Sequence, residues 1–485
     1  MANPTLVSSS VDIEAIEHEV KRVFAAQKAH AQNVKNTDAS ERIQKLKKLK
    51  AIIMHYRAQI HEAVYKDFKK SSPEADLGEI FGVLASITHI VGHLRKWMKP
   101  KRVPTPLNMI GTRSWVQHEA KGVALIISPW NYPFQLAIDP LLYAIAAGNT
   151  AIIKPSEITP HTSAIIKKML GEVFQENEVA VFEGDAAVAQ SLLRQPFDHI
   201  FFTGSPALGK IVMEAAAKNL TSVTLELGGK SPTIVDETSH IKDAAQKIVW
   251  GKYMNCGQTC IAPDYVLVQE SVKDQLIQEM KDNIQKLYGQ EGQSDVEQSP
   301  DYTRVVNQRH FNRVRKLLDD AVEKGAKVVE GGKMNPDDNY IAPTMLVDVN
   351  DDMELMHEEI FGPLLPIKSF KDLKEATDYV NTKPKPLALY FFSRDKKKQH
   401  FVIQNTSAGG SAINETLAHI SNPDLPFGGV NNSGIGKTHG YYGFLAFSNE
   451  RAVLKQRIGW TTLKMLYPPY TEKKKKTINN FSKFV

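Results

Sequence analysis

The sequence predicts an α/β fold with parallel sheets in two successive units. Three observations carry this. Short runs that are apolar on both faces alternate with helix-length segments, the pattern of buried parallel strands. Most of those runs end in Gly or Pro. The alternation begins near Lys121 and resumes after Gly229, with no internal repeat of fixed period.

The first hundred residues read as helices. Asp38 with Glu41 three residues on forms a capping-box pattern. Ile43, Leu46, Leu49, Ile53, Tyr56 and Ile60 then recur at spacings of three and four, one apolar helix face. Ser72-Pro73 reads as a second N-cap with proline at the first helical position. Ile80, Leu84, Ile87, Val91 and Leu94 carry that helix to Trp97. Pro100, Pro104 and Pro106 break the pattern.

From Lys121, GVALIISPWNYP is a strand ending at Pro129. LLYAIAAGNTAIIKPS is a helix, a Gly148-Asn149 stop and a strand to Lys154. A helix over 160–174 follows, then strands in VAVFEG, FDHIFFTGS, VTLELGG and SPTIVD. Beyond a boundary near Gly229, helices near 240–254, 271–288 and 308–324 alternate with strands near 265–268, 326–329 and 387–392. Past residue 420 come a glycine-rich stretch, the strand-like RAVLKQ and a YPPY-lysine tail.

Composition bounds the function. The 485 residues are 42% hydrophobic and 24% charged, an ordinary globular balance. Of a net charge of +6, most sits in Lys473, Lys474, Lys475, Lys476 and Lys483. The body is close to neutral, which argues against a nucleic-acid partner. A short basic tail supports only marginal contact with an anionic membrane surface. The start lacks the apolar core of a signal peptide, and no run approaches 18 consecutive apolar residues, so no membrane span is expected. Two cysteines, Cys256 and Cys260, fit a reducing, cytoplasmic setting and form no metal quartet.

Five segments could carry chemistry. In NCGQTCIAP, Cys260 sits in a polar turn and is a candidate nucleophile, against the alternative of a small buried hydrophobe. Glu226 lies between leucines in VTLELGG. An inward carboxylate there has a raised proton affinity and suits a general base; the alternatives are a carboxylate on a solvent-facing side of the strand or a pair with a lysine such as Lys230. In FFTGSPALGK, Thr203, Gly204 and Ser205 end a strand and Gly209 follows in the next helix, an anion-friendly turn without the Gly-x-Gly-x-x-Gly spacing. Lys154 and Glu157 stand at a strand's carboxyl end, where a carboxylate can accept from ribose hydroxyls. Asn131, in SPWNYPF, offers an amide to a developing oxyanion, or caps a turn.

Taken in order, SPWNYP, IIKPSE, FFTGSPALGK, LELGGKSP, GQTCIAPDY, EEIFGPLLPI and LPFGGVNNSGIGKTHG resemble the aldehyde dehydrogenase superfamily along nearly the whole chain. YMNCGQTCIAPDYVL and the SNERAVLKQ-to-YPPY ending look most like its class 3 branch of fatty and aromatic aldehyde dehydrogenases. The resemblance implies oxidation of an aldehyde to a carboxylic acid with NAD, NADP being tolerated. It implies Cys260 as nucleophile, Asn131 and the Cys260 N–H as oxyanion donors, and Glu226 as the base that activates water. Lys154 and Glu157 would bind the adenosine ribose, Thr203 to Gly209 would face the pyrophosphate, and Glu359 and Phe361 would hold the nicotinamide ribose.

It also implies an architecture. A Rossmann-like NAD(P)-binding domain would comprise 1–105 and 119–228, and a catalytic domain 229–430. An oligomerisation region would comprise 106–118 and 431–462, with 463–485 a basic tail. A homodimer would form through the strand near Ser114 to His118 and the segment near Arg451 to Gln456. Tyr132, Trp250 and Phe447 are expected to line an apolar tunnel. Cys256 departs from the small residue usual in this branch; packing is favoured over a disulfide with Cys260.

Overall fold

The computed structural model describes residues 10–289 and 296–481. Residues 1–9 and 482–485, which include Lys483, lie outside the described residues.

Alternating apolar residues build the first sheet. Its strands run in the spatial order Gly434–Ile435, Ser222–Leu227, His199–Gly204, Val123–Ile127, Thr150–Lys154 and Val179–Val181. All are parallel except Gly434–Ile435, which pairs antiparallel with Leu225 and Glu226. Along Val123–Ile127, Ala124 and Ile126 face one core and Val123 and Leu125 the other. The first core packs the helices Ala39–Phe68, Phe81–Trp97 and Gln135–Ala147 on one face. The second receives Val20, Val23 and Phe24 of the helix Ser10–Lys35. Burial on both faces is why Val123–Ile127 has no polar side.

The helix ends follow local chemistry. Asp38 caps Ala39–Phe68 with a complete capping box. The next helix is capped by Ser71 rather than Ser72, with Pro73 in its first turn. Gly148 ends Gln135–Ala147 at φ +88°, a left-handed geometry that glycine adopts without strain. The stretch Ser72–Trp97 is long and apolar enough to cross a membrane by length and composition alone. Here its Val83, Ile87, Ile90 and Leu94 are fully buried in the first core.

The second sheet has seven strands in the order Lys327–Glu330, Thr344–Val347, Leu364–Phe370, Tyr265–Gln269, Pro232–Val235, Ala388–Phe392 and Gly410–Ile413. Only Lys327–Glu330 is antiparallel to its neighbour. A third, three-stranded antiparallel sheet orders Lys101–Val103, Thr112–Ala120 and Ser448–Gln456.

The topology decides where ligands can gather. From Val123–Ile127 the chain builds outward to Thr150–Lys154 and Val179–Val181. It then returns to lay His199–Gly204 on the other side of Val123–Ile127. Such a reversal opens a crevice at the strands' carboxyl ends. Asn131 follows one of these strands, and Thr203, Gly204 and Ser205 close the other.

Candidate active site

Five residues separate Glu226 from Pro232, where the chain enters the second sheet. Its strand ends at Leu227, and Gly228-Gly229 lead to Lys230. Lys230 is buried and pairs with Asp264, four residues past Cys260, while also donating to the carbonyls of Leu355 (2.7 Å) and Glu358 (3.0 Å). Asp264 in turn accepts from the Ile360 N–H at 2.9 Å. One buried ion pair thus ties the Glu226, Cys260 and Glu359 segments together. The pairing of Lys230 with Glu226 considered from sequence does not occur; Asp264 has taken the lysine.

Close backbone approaches tighten this junction. Gly257 has φ +73°, and a methyl there would stand 2.3 Å from the Gly362 carbonyl oxygen. A methyl on Gly228 would stand 2.0 Å from the Glu359 carboxylate. Only glycine fits at 257, so the Cys260 turn meets the Gly362 main chain directly, while Gly228 lets the Glu359 carboxylate lie against its backbone.

Cys260 retains some exposed surface. Burial, then the negative charges of Glu359 and Glu226, push its thiol up to about 12. The N–H groups of Cys260 and Ile261 point at the sulfur and act in the opposite direction. Glu226 is buried, and neither carboxylate oxygen has a hydrogen-bond partner. Burial holds its proton affinity well above the usual carboxylate range, and Lys437 partly offsets this. Glu359 is pushed up to about 8, mainly by burial and then by Asp264.

Asn131 is buried, and its amide donates to the Gln258 carbonyl at 3.0 Å. The second amide hydrogen is left for another acceptor. Tyr132 is buried with its hydroxyl 2.8 Å from that of Thr259. The ring of Phe361 packs edge-on against Trp130 at 5.3 Å between centroids. Cys256 is completely buried, and its thiol reaches the Tyr302 hydroxyl at 3.5 Å.

The crevice fits a dinucleotide. Ser205 caps the helix Pro206–Ala217, accepting from the Leu208 N–H with its hydroxyl and from the Gly209 N–H with its carbonyl, which leaves the Ala207 N–H of the first turn for an anion at the strand end. The buried hydroxyl of Thr203 has no partner. Gly204 and Gly209 pack against Phe202 and Leu227 so closely that side chains there would collide. Lys154 and Glu157 form an ion pair at 2.5 Å at the neighbouring strand's end, Lys154 buried and Glu157 exposed.

Of the expected tunnel residues, one stands elsewhere. Phe447 is fully buried, stacked on Phe201 at 5.7 Å and edge-on to His199 at 5.1 Å, so it belongs to the first core. Trp250 is 40% exposed on the helix Ile241–Tyr253. Four residues around the site escaped sequence reasoning: Gln258, Lys437, Lys70 and Glu79. A buried charge such as Lys70 or Glu79 carries no mark in sequence that separates it from an exposed one.

A phosphate-friendly turn and a thiol under one pair of sheets are the equipment of a dehydrogenase that works through a covalent intermediate. Comparison with known proteins makes this specific. The aldehyde dehydrogenase family model matches residues 3–453, and the chain belongs to that family. It is 47% identical over 435 residues to the 4,4'-diaponeurosporen-aldehyde dehydrogenase of Staphylococcus aureus, covering 90% of this chain and 93% of that protein. It is 44% identical to mouse aldehyde dehydrogenase family 3 member A2, covering 89% of this chain and 88% of that one. The substrate-bound structure of S. aureus AldH superposes with a TM-score of 0.91 at 46% identity, over 95% and 99% of the two chains. The protein is an NAD(P)-dependent aldehyde dehydrogenase whose relatives include the class 3 type.

Proposed function

We propose that the chain oxidises medium- or long-chain aliphatic or aromatic aldehydes to carboxylic acids through a thioester on Cys260, with water as the acyl acceptor. The observation that carries this is the buried Glu226 carboxylate, free of any hydrogen-bond partner and near enough to Cys260 to raise its thiol. A carboxylate in that state is held ready for a proton and not for structure.

The Cys260 sulfur bonds to the carbonyl carbon as its proton passes to solvent water. The carbonyl oxygen becomes an oxyanion, stabilised by the free Asn131 amide hydrogen and the Cys260 N–H. Collapse of that alkoxide expels a hydride and leaves a thioester. When bound, NAD supplies the hydride acceptor and the positive charge of its ring. Glu226 then takes a proton from water, the hydroxide adds to the thioester, and the Cys260 thiolate departs as the carboxylate forms. Lys154 and Glu157 hold the adenosine ribose, Thr203 to Gly209 the pyrophosphate, and Glu359 with Phe361 the nicotinamide ribose. Glu157 disfavours a 2′-phosphate, so NAD is preferred over NADP.

The S. aureus relative named for an apocarotenoid aldehyde supports an apolar substrate. The working unit is a homodimer through the Ser448–Gln456 strand, and two reduced thiols suit the cytoplasm. The experiment follows NADH at saturating aldehyde and NAD for wild type, Cys260→Ala and Glu226→Gln. Cys260→Ala gives no NADH. Glu226→Gln gives a single-turnover burst and an acylated chain in intact mass spectra. Equal steady-state rates in all three remove the proposal. A stimulation by coenzyme A favours acyl transfer to a thiol instead of water.

A further inference from the structure

Lys70 and Glu79 form an ion pair at 2.7 Å in which both side chains have no exposed surface. Stability alone does not account for it: apolar residues of similar volume serve a core as well or better than a buried ion pair. What the pair touches is informative. Lys70 Nζ also donates to the Asn131 carbonyl oxygen at 3.3 Å. Its ammonium lies 4.2 Å from the centre of the Tyr132 ring and 4.8 Å from that of Phe68. The second Glu79 oxygen accepts from the N–H groups of Phe134 (3.2 Å) and Gln135 (3.0 Å).

These contacts bracket one short segment. Asn131, Tyr132, Phe134 and Gln135 are all held by the two charges, from either side of Pro133. Phe134 precedes the helix Gln135–Ala147 and brings no side-chain cap of its own, so Glu79 caps the helix from a separate part of the chain. Asn255 Nδ2 adds a third hold on the Asn131 carbonyl at 2.9 Å. The Asn131 side chain leaves this clamped backbone toward Gln258.

We propose that the buried Lys70–Glu79 pair is a positioning device for the Asn131 amide, fixing the oxyanion donor by gripping the main chain at its own carbonyl and three and four residues beyond it. The inference rests on the reading of Asn131 as that donor. Neither charge touches substrate. Their effect passes through the backbone, where a displacement of about 1 Å at a reacting group can cost on the order of 100-fold in rate.

A double-mutant cycle tests this in the full-length enzyme. Lys70→Met, Asn131→Ala and the combination are compared by kcat, KM and NAD affinity, with rates normalised to titrated active sites. Lys70→Met is expected to lower kcat roughly 10- to 100-fold, with KM and NAD affinity within about twofold of wild type. On the Asn131→Ala background it is expected to cost nothing further. Additive losses in the combination, or a wild-type kcat in Lys70→Met, overturn the proposal. A wild-type kcat in Asn131→Ala overturns instead the reading on which it rests. Should Lys70→Met not fold, Glu79→Gln runs the same cycle, since its amide oxygen can still accept from the two N–H groups while the charge is gone. Lys70→Arg, which keeps the charge, recovers part of the rate.

Discussion

The side-chain nitrogen of Asn131 and the main-chain oxygen of Gln258 meet at 3.0 Å, joining the segment that follows the Val123–Ile127 strand of the first sheet to the turn that carries Cys260. Gln258 is itself fixed: its side chain donates to the Asn255 and Arg304 carbonyls and accepts from the Val306 N–H, each at 3.0 Å. The amide hydrogen that remains on Asn131 is therefore aimed by a rigid partner. Asn131→Ala is expected to lower kcat by about 100- to 1000-fold. Asn131→Asp does no better, because a carboxylate opposes both the Gln258 oxygen and the oxyanion. Steady-state kinetics with the aldehyde at saturation measure this. A loss below tenfold in both variants speaks against the donor role.

The two thiols differ in surroundings. Cys260 keeps exposed surface, whereas Cys256 has none and sits at Tyr302. Native enzyme treated with iodoacetamide is expected to carry one label, on Cys260, read by peptide mass spectrometry. The reactive species is the thiolate, and a thiol raised to about 12 ionises little at neutral pH. The labelling rate should then climb by roughly tenfold per pH unit from pH 7 to 10. Prompt labelling of Cys256, or a plateau near pH 8, contradicts the geometry.

How far the sequence foretold this site depends on the range of each interaction. The Asp38 capping box and the two-sided apolar strands depend on near neighbours or on burial alone, and both read directly. The second cap was placed one residue late, at Ser72, because Ser71 and Ser72 are chemically alike and only backbone geometry separates them. Sequence nearness makes Lys230 a possible partner for Glu226, yet Asp264, 34 residues away from Lys230, holds that lysine. The Lys70 contact to Asn131 spans 61 residues, and nothing local announces it. Phe447 shows the complementary limit. An aromatic in an apolar segment reads alike whether it lines a cavity or fills a core.

Glu226 links activity and stability with opposite signs. Burial raises its folded-state proton affinity above that of the unfolded chain. Above the unfolded value the unfolded state sheds the proton more readily, so stability falls as pH rises toward the folded value. Glu226→Gln removes that penalty. The variant is expected to be more stable than wild type at pH 8 by at least about 1 kcal/mol, since each unit by which the folded-state proton affinity exceeds the unfolded one costs about 1.4 kcal/mol once the group ionises. The gain should vanish below about pH 4, where both forms are neutral. Urea melts at pH 4 and pH 8 provide the comparison. A variant less stable than wild type at pH 8 contradicts the burial argument.

Coenzyme choice turns on Glu157. Its carboxylate is half-exposed beside buried Lys154, and it faces away from the core at a strand end. A 2′-phosphate brought to that place meets a like charge. Glu157→Gln is expected to raise kcat/KM for NADP by about tenfold, equivalent to roughly 1.4 kcal/mol, and to lower it for NAD. Parallel kinetics with the two coenzymes give the ratio. An unchanged ratio places the adenosine ribose elsewhere.

The strand Ser448–Gln456 pairs along its whole length with Thr112–Ala120 on one side and is the outermost strand on the other. Nine residues of unpaired main chain at a sheet edge invite another strand. Leu454 is 49% exposed on this strand. A second copy adding there would bury it and pair the open edge. Leu454→Asp places a charge in the proposed contact, and the charge would have to be desolvated for the dimer to form. Wild type is expected to sediment at twice the chain mass and Leu454→Asp at the single-chain mass, with the thermal unfolding of the monomer otherwise cooperative. If both sediment as dimers, the contact lies on another surface, and this edge is protected by its charged neighbours Glu450, Arg451 and Lys455 instead.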